Sequence, residues 1–332
     1  MTKNRQKCES IFRLCFRDFF ISLKILLKLL VTFWFCLSVI QADYTRLFNL
    51  KRSTADKDSP SNATNVSRPR IFCLIFTSVE RHDYIAIYGQ STWIRNCDRY
   101  LFVSNSIHPV LEPLVIKNRY RWGAMLISLG YVYRYYADEM DWLLKVNDDN
   151  FVILENLRKL LQPYSSDEPI SFGCKMKNNE NQTYMHGGNV FSREALRRLV
   201  TNGFTNSSLC YLDDSPYDDE ELSRCLRNVG VVAGDSRDAM GRQRFLPFNP
   251  EQYLVDLEPD MQEWYSTRSY YEINAITREL SREVISFYNV NPPTMLCLYY
   301  YIYKMRIFGR KVLPQNGTTH FINGTPSVTH SN

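Results

Sequence analysis

The chain has 332 residues, 45% of them hydrophobic and 14% aromatic, which excludes wholesale disorder and leaves room for one large domain or two small ones. Residues 1–40 hold seven basic and two acidic side chains and so carry the whole formal charge of +5. The remainder balances at 33 of each sign, which excludes the global basic field of a non-specific nucleic-acid binder.

Residues 19–40, FFISLKILLKLLVTFWFCLSVI, form the first predicted element. As a helix at ~1.5 Å per residue they extend about 33 Å, enough to cross a bilayer core. Lys24 and Lys28 share one face near the basic end, where their stems can snorkel to headgroups. The positive-inside rule then keeps residues 1–18 cytoplasmic, as in a single-pass type II protein. A cleaved signal peptide is the alternative, with Ala42 before the cut, although Ile40 is a poor small-residue match at the −3 position. Either way the rest enters the secretory pathway. Residues 41–68 are a polar stem, and 310–332 a flexible polar tail.

Six N-x-S/T sequons, at Asn62, Asn65, Asn181, Asn206, Asn316 and Asn323, all lie beyond the apolar segment. So does an even set of cysteines, Cys73, Cys97, Cys174, Cys210, Cys225 and Cys297, which suits disulfides in any of 15 connectivities. With neither a CxxC pair nor a histidine cluster, zinc is not expected.

Between the stem and the tail, residues 69–309 alternate in period. Arg70–Ser78 and Tyr100–Ser104 predict buried strands, Tyr120–Ala137 a helix and Asp141–Val146 another strand, so an α/β sheet with parallel strands is expected. Leu154–Leu161 and Ser192–Val200 predict helices, the second capped by Ser192. Ser215-Pro216 signals a further helix running to Arg227, and Val229–Ala233 a strand.

The strand ending DWLLKVNDDN places Asp148 and Asp149 between Asn147 and Asn150 at a sheet edge, where open α/β folds bind ligands. Hard oxygens there suit Mg²⁺ or Mn²⁺ on a diphosphate, and a polar turn is the plain alternative.

Five segments, STWIRNCDRYLFVSN, DWLLKVNDDNFVILENLRKLL, YMHGGNVFSREALRRLV, ELSRCLRNVGVVAGDSRD and FLPFNPEQYL, resemble glycosyltransferase family 31, in particular its core 1 β-1,3-galactosyltransferases. The resemblance runs from about Arg70 to Gly309. It implies a GT-A fold with a mostly parallel sheet behind the membrane anchor, in the Golgi or endoplasmic reticulum. It also implies inverting transfer of galactose from UDP-galactose to the 3-hydroxyl of O-linked GalNAc on glycoproteins, with Mn²⁺ or Mg²⁺. By motif position, Asp149 and Asp148 are the expected metal ligands. Asp148, Asn147, Lys117, Gly187 and Gly188 are the expected donor contacts, Asp219 the base with Asp218 second, and Trp264 and Tyr265 the acceptor contacts. Cys73–Cys97 and Cys210–Cys225 are the implied disulfides, with Cys174–Cys297 a third.

Plain alternatives stand beside these roles. Asp218 and Asp219 in a first helical turn stabilise the macrodipole without catalysis, the glycines suit an ordinary turn, and the aromatic residues suit a core. The chain also departs from the family. Asn147 replaces a motif carboxylate, Tyr288 stands where a metal-binding histidine is expected, and Gly123 follows Trp122 where a basic residue is expected. HGGNVFS is two residues short and an adjacent cysteine pair is missing. These changes raise a second possibility, a non-catalytic chaperone or partner of an active galactosyltransferase. On either reading a homodimer or a heteromer with a related transferase is the expected assembly.

Overall fold

The computed structural model describes residues 68–255, 258–273 and 280–306, all within the unit Val66–Asn332. The apolar segment 19–40, most of the stem, the tail and the sequons Asn62, Asn65, Asn316 and Asn323 lie outside the described residues. Among the described residues no helix is long and apolar enough to cross a membrane.

Strand β1 (Ile71–Phe76, IFCLIF) is buried along its whole length because both its faces are covered. Ile71, Cys73 and Ile75 enter one core, and Phe72, Leu74 and Phe76 the other. Each such side chain fully buried stabilises the fold by about 1.5–3 kcal/mol. After a short helix α1 (Ile87–Ser91), β2 (Arg99–Ser104) returns parallel to β1, and Cys73–Cys97 bridges the connection. The two-residue β3 (Leu114–Val115) extends that edge.

Helix α2 (Arg121–Tyr136) has no capping side chain of its own. Asp214, 91 residues from Gly123, supplies one: its carboxylate accepts from the backbone N–H of Tyr120 at 2.7 Å and of Gly123 at 2.8 Å. A Cβ on Gly123 would fall 2.9 Å from that carboxylate and 1.9 Å from Asn118 Nδ2, so the glycine departure noted above has a structural cause. Asp214→Ala is therefore expected to cost about 1 kcal/mol, the usual worth of an N-cap, as a shift in the urea midpoint with unchanged slope.

Next come β4 (Trp142–Asn147), β5 (Phe151–Val152) and α3 (Leu154–Leu161), whose Leu154, Leu157, Leu160 and Leu161 form its buried face. The hairpin β6 (Ile170–Lys177) and β7 (Thr183–Ser192) was not evident from the sequence, and it inserts β7 antiparallel beside β4. The sheet order is β3-β2-β1-β4-β7-β6-β8, with β8 formed by Val232–Ala233. Parallel pairings outnumber antiparallel ones, so the fold is the expected mixed α/β organisation with a mostly parallel sheet.

Helix α4 (Arg193–Arg198) starts on Ser192, whose hydroxyl accepts from Ala195 N–H at 3.1 Å, as expected. Helix α5 (Asp218–Asn228) begins later than expected. Tyr217 precedes it without a capping bond, and Ser215 instead accepts from Tyr217 N–H at 3.3 Å, closing the turn before the helix. Cys210–Cys225 ties this helix to the Asp214 loop. The implied third disulfide does not form: Cys174 is buried on β6, whereas Cys297 is exposed on a late helix.

Beyond β9 (Phe245–Leu246) follow α6 (Pro250–Leu254), α7 (Pro259–Arg268), β10 (Ser286–Phe287) and α8 (Pro292–Tyr303). Strands β5, β10 and β9 make a second small sheet. It carries residues 288–290 to the end of β4, where Val290 N–H donates to Asp149 O at 2.8 Å.

Candidate active site

Alternation along β4 puts Lys145 on the face shared by Leu143 and Asn147, the face on which α5 packs. Lys145 is only 1% exposed. Its Nζ donates to Asp219 Oδ1 at 2.6 Å and Asp218 Oδ2 at 3.1 Å. Burial works to lower the ammonium's pKa, but the two carboxylates outweigh it and leave it raised. Burial likewise opposes ionisation of Asp219, and Lys145 with His186 more than offsets it, so the carboxyl sits below its ordinary range. Both acids of the first α5 turn thus have a partner inside the protein, beyond any service to the helix dipole.

Asp219 Oδ2 also accepts from Gly187 N–H at 3.4 Å and lies 3.9 Å from His186 Nδ1. Gly187 (φ +68°) and Gly188 (φ +149°) make this bend in β7 possible. A Cβ on Gly187 would come 3.1 Å from the Tyr288 side chain, and one on Gly188 would come 3.3 Å from Val146. Gly187→Ala combines that crowding with a left-handed backbone and is expected to destabilise the fold by about 1–3 kcal/mol in a denaturant titration.

His186 links the acid pair to a cleft. Its ring meets Tyr288 at 5.1 Å and Trp264 at 5.6 Å, and burial lowers its pKa against the pull of Asp219. The cleft has a volume near 340 Å³ and is lined by His186, Phe248, Asp260, Met261, Trp264 and Tyr288, among others. Trp264 therefore lines it. Tyr265 does not: it is buried against Phe248 in the core, because the next residue along α7 points to a different side of the helix.

The Asn147-Asp148-Asp149 edge departs from expectation. Arg81, at the end of a short turn after β1, holds Asp148 by Nε at 3.0 Å and Nη2 at 2.7 Å, and Asp149 Oδ2 by Nη2 at 2.9 Å. Thr77 Oγ1 donates to Asp148 Oδ2 at 2.6 Å. Asn147 Oδ1 accepts from Arg121 Nη1 at 3.0 Å. Asn150, beside the pair, donates to Gly187 O, which locks this edge to β7. Burial and Asp148 push the Asp149 carboxyl above its usual range, against Arg81 and Arg121.

Of the four carboxylate oxygens expected to ligate a divalent ion, only Asp149 Oδ1 is left without a partner. Tyr288, whose phenol is raised by burial, supplies no anionic ligand, and His186 faces Asp219 instead. No group of three or more His, Cys, Asp or Glu among the described residues is placed to hold a metal. The residues present do not fit the implied Mn²⁺ or Mg²⁺ site, because an arginine and a threonine already occupy its carboxylates. Nothing in the sequence near the acidic motif points to Arg81, which is 67 residues away from Asp148.

Lys117 is exposed on the segment leading into α2, four residues before Arg121. Asn181, at the β6–β7 turn with φ +60°, and Asn206 are the two sequons among the described residues, and both are exposed.

A Fringe-like family model matches residues 117–233, a span that holds the acidic edge, the glycine bend and the acid pair. A Xenopus laevis protein, glycoprotein-N-acetylgalactosamine 3-beta-galactosyltransferase 1, is 34% identical over 248 residues, covering 72% of this chain and 68% of that protein. Human beta-1,3-glucosyltransferase is 31% identical over 176 residues, 50% of this chain and 34% of that protein. Among solved structures, galactosyltransferase LgtC with donor and acceptor sugar analogs aligns at a TM-score of 0.40 and 12% identity, over 71% of this chain and 97% of that one. Mannosyltransferase PcManGT from Pyrobaculum calidifontis, in complex with GDP-Man and Mn²⁺, aligns at 0.33 and 14% identity, over 60% and 63%. On the extent of the Xenopus match, this chain is a glycosyltransferase and belongs to the glycoprotein-N-acetylgalactosamine 3-beta-galactosyltransferase family, within glycosyltransferase family 31.

Proposed function

We propose that this chain transfers galactose from UDP-galactose to the 3-hydroxyl of O-linked GalNAc on glycoproteins, with inversion at the anomeric carbon. The observation that carries the proposal is Asp219. It is held ionised by a buried lysine and joined through His186 to a sugar-sized cleft walled by Trp264 and Tyr288. In the reaction the acceptor hydroxyl oxygen bonds to C1 of galactose as the C1–O bond to the diphosphate breaks, and Asp219 takes the hydroxyl proton. Lys145 keeps the base charged before the step. Trp264 offers a ring to the apolar face of the acceptor sugar. Lys117 and the Gly187-Gly188 bend remain the proposed donor contacts, alongside the Asn147–Asp148 edge.

In this proposal residues 69–309 are the luminal catalytic domain, carried behind the signal anchor 19–40 and the stem in the Golgi or endoplasmic reticulum membrane. The test is incubation of the purified full-length chain with UDP-galactose and a GalNAc-threonine peptide, followed by mass spectrometry. A hexose added to the peptide is the expected result, and an unmodified peptide sinks the proposal. One observation favours a second reading, a non-catalytic partner of an active transferase: Arg81 closes the acidic edge on which the family's metal is expected. A chain that transfers nothing yet raises the activity of a co-expressed relative would support it.

A further inference from the structure

We propose that Arg81 and Arg121 together hold the diphosphate of the donor in place of a divalent cation, so that this chain binds a nucleoside diphosphate without metal. The inference rests on the donor reading above and concerns how the same edge works. Both guanidinium groups stand at the carboxyl end of the parallel strands: Arg81 follows β1, and Arg121 touches the last residue of β4. Ligands of open α/β sheets bind outside these strand ends.

The donors add up. Arg81 spends Nε and Nη2 on Asp148 and Asp149, which leaves the two N–H groups of Nη1, and its side chain is 38% exposed. Arg121 spends Nη1 on Asn147, which leaves Nε and Nη2 on an exposed residue. Two permanent positive charges match the charge of one divalent ion, and guanidinium forks suit phosphate oxygens. The remaining groups have roles in this arrangement. Thr77 and Asp148 fix the Arg81 fork from beneath, and the amide at Asn147 accepts from Arg121 without adding a third negative charge that would repel the phosphates. A divalent ion on Asp149 Oδ1 would instead sit beside a guanidinium already shared with that same carboxylate.

The test is calorimetric titration of the full-length chain with UDP, once in EDTA and once in Mn²⁺. Equal affinity in the two buffers is expected. Arg121→Ala, an exposed change that leaves the core intact, is expected to weaken UDP binding about tenfold in both buffers, as loss of a charge-assisted pair would. Arg81→Ala frees Asp148 and Asp149, so its UDP binding is expected to become dependent on Mn²⁺. Mn²⁺ alone, followed by electron paramagnetic resonance, should bind that variant and not the parent. UDP binding by the parent only in Mn²⁺, or an Arg121→Ala variant with unchanged affinity, overturns the clamp while the donor reading stands. A folded parent that binds no UDP in either buffer removes the donor reading, and the clamp with it.

Discussion

Asp219→Asn is expected to lower kcat for galactosyl transfer by about 10²–10⁴-fold, the range supplied by general acid–base catalysis, with little change in KM for UDP-galactose. The amide keeps the size of the carboxylate and can still accept from Lys145 Nζ, now 2.6 Å from Asp219 Oδ1. It cannot take a proton from the acceptor hydroxyl. Asp218, which also contacts Lys145 at 3.1 Å, remains as the lysine's counter-charge, so the variant is expected to stay folded. Asp218→Asn is the control and should cost far less, because it is Asp219 Oδ2 that lies 3.9 Å from His186 Nδ1, the residue that lines the cleft. Steady-state kinetics on the two variants decide the assignment: a large loss in Asp218→Asn with none in Asp219→Asn would exchange their roles.

Lys145→Ala is expected to destabilise the fold by about 3–5 kcal/mol, because removing one partner of a buried ion pair leaves the other charge uncompensated. Two carboxylates would be stranded at once, 17% and 20% exposed, where the lysine side chain is 2% exposed and packs near the Phe76 ring. The urea midpoint measures the loss. Adding Asp218→Asn and Asp219→Asn to Lys145→Ala should recover part of the stability and none of the activity, since the penalty is the unpaired charge rather than the missing contact.

The same triad shapes the pH dependence of folding. Asp219 has a folded pKa below its unfolded value, so its contribution is present above the unfolded carboxylate range near ~4 and is lost as pH falls through the folded pKa. Lys145 has a raised pKa, so its contribution is present below the unfolded value near ~10.4 and is lost as pH rises through the folded one.

Much of the sheet was legible because strands covered on both faces are continuous apolar runs. RIFCLIFTS and DWLLKV announced β1 and β4 within a residue or two, and the periodic aromatics of 120–137 announced α2. The β6–β7 hairpin was hidden although it too is buried along most of its length. Lys175, His186 and three glycines, Gly173, Gly187 and Gly188, interrupt its apolar runs, and its partners are β4 and β8, distant in sequence. Strands of two residues, such as β5 and β10, are too short to carry any period.

At the site, the acidic edge and the acid pair were visible as residues, but their partners were not. Lys145 is the one polar side chain inside a run that otherwise reads as buried strand, and that oddity was a usable signal for the ion pair with Asp218 and Asp219. Arg81 gave no such signal, since it is one of many arginines and meets Asp148 only through the pairing of β1 with β4. Gly123 shows how a departure at one position is settled elsewhere: the space it leaves is filled by Asn118 and by the Asp214 cap.

The most direct measurement of the transfer claim is the proton NMR spectrum of the product formed from UDP-galactose and a GalNAc-threonine peptide. A new anomeric signal with the large coupling of a β-linked galactose, correlated to C3 of GalNAc and absent with the Asp219→Asn variant, is the expected result. An unchanged peptide, or galactose joined through an α linkage, would contradict it.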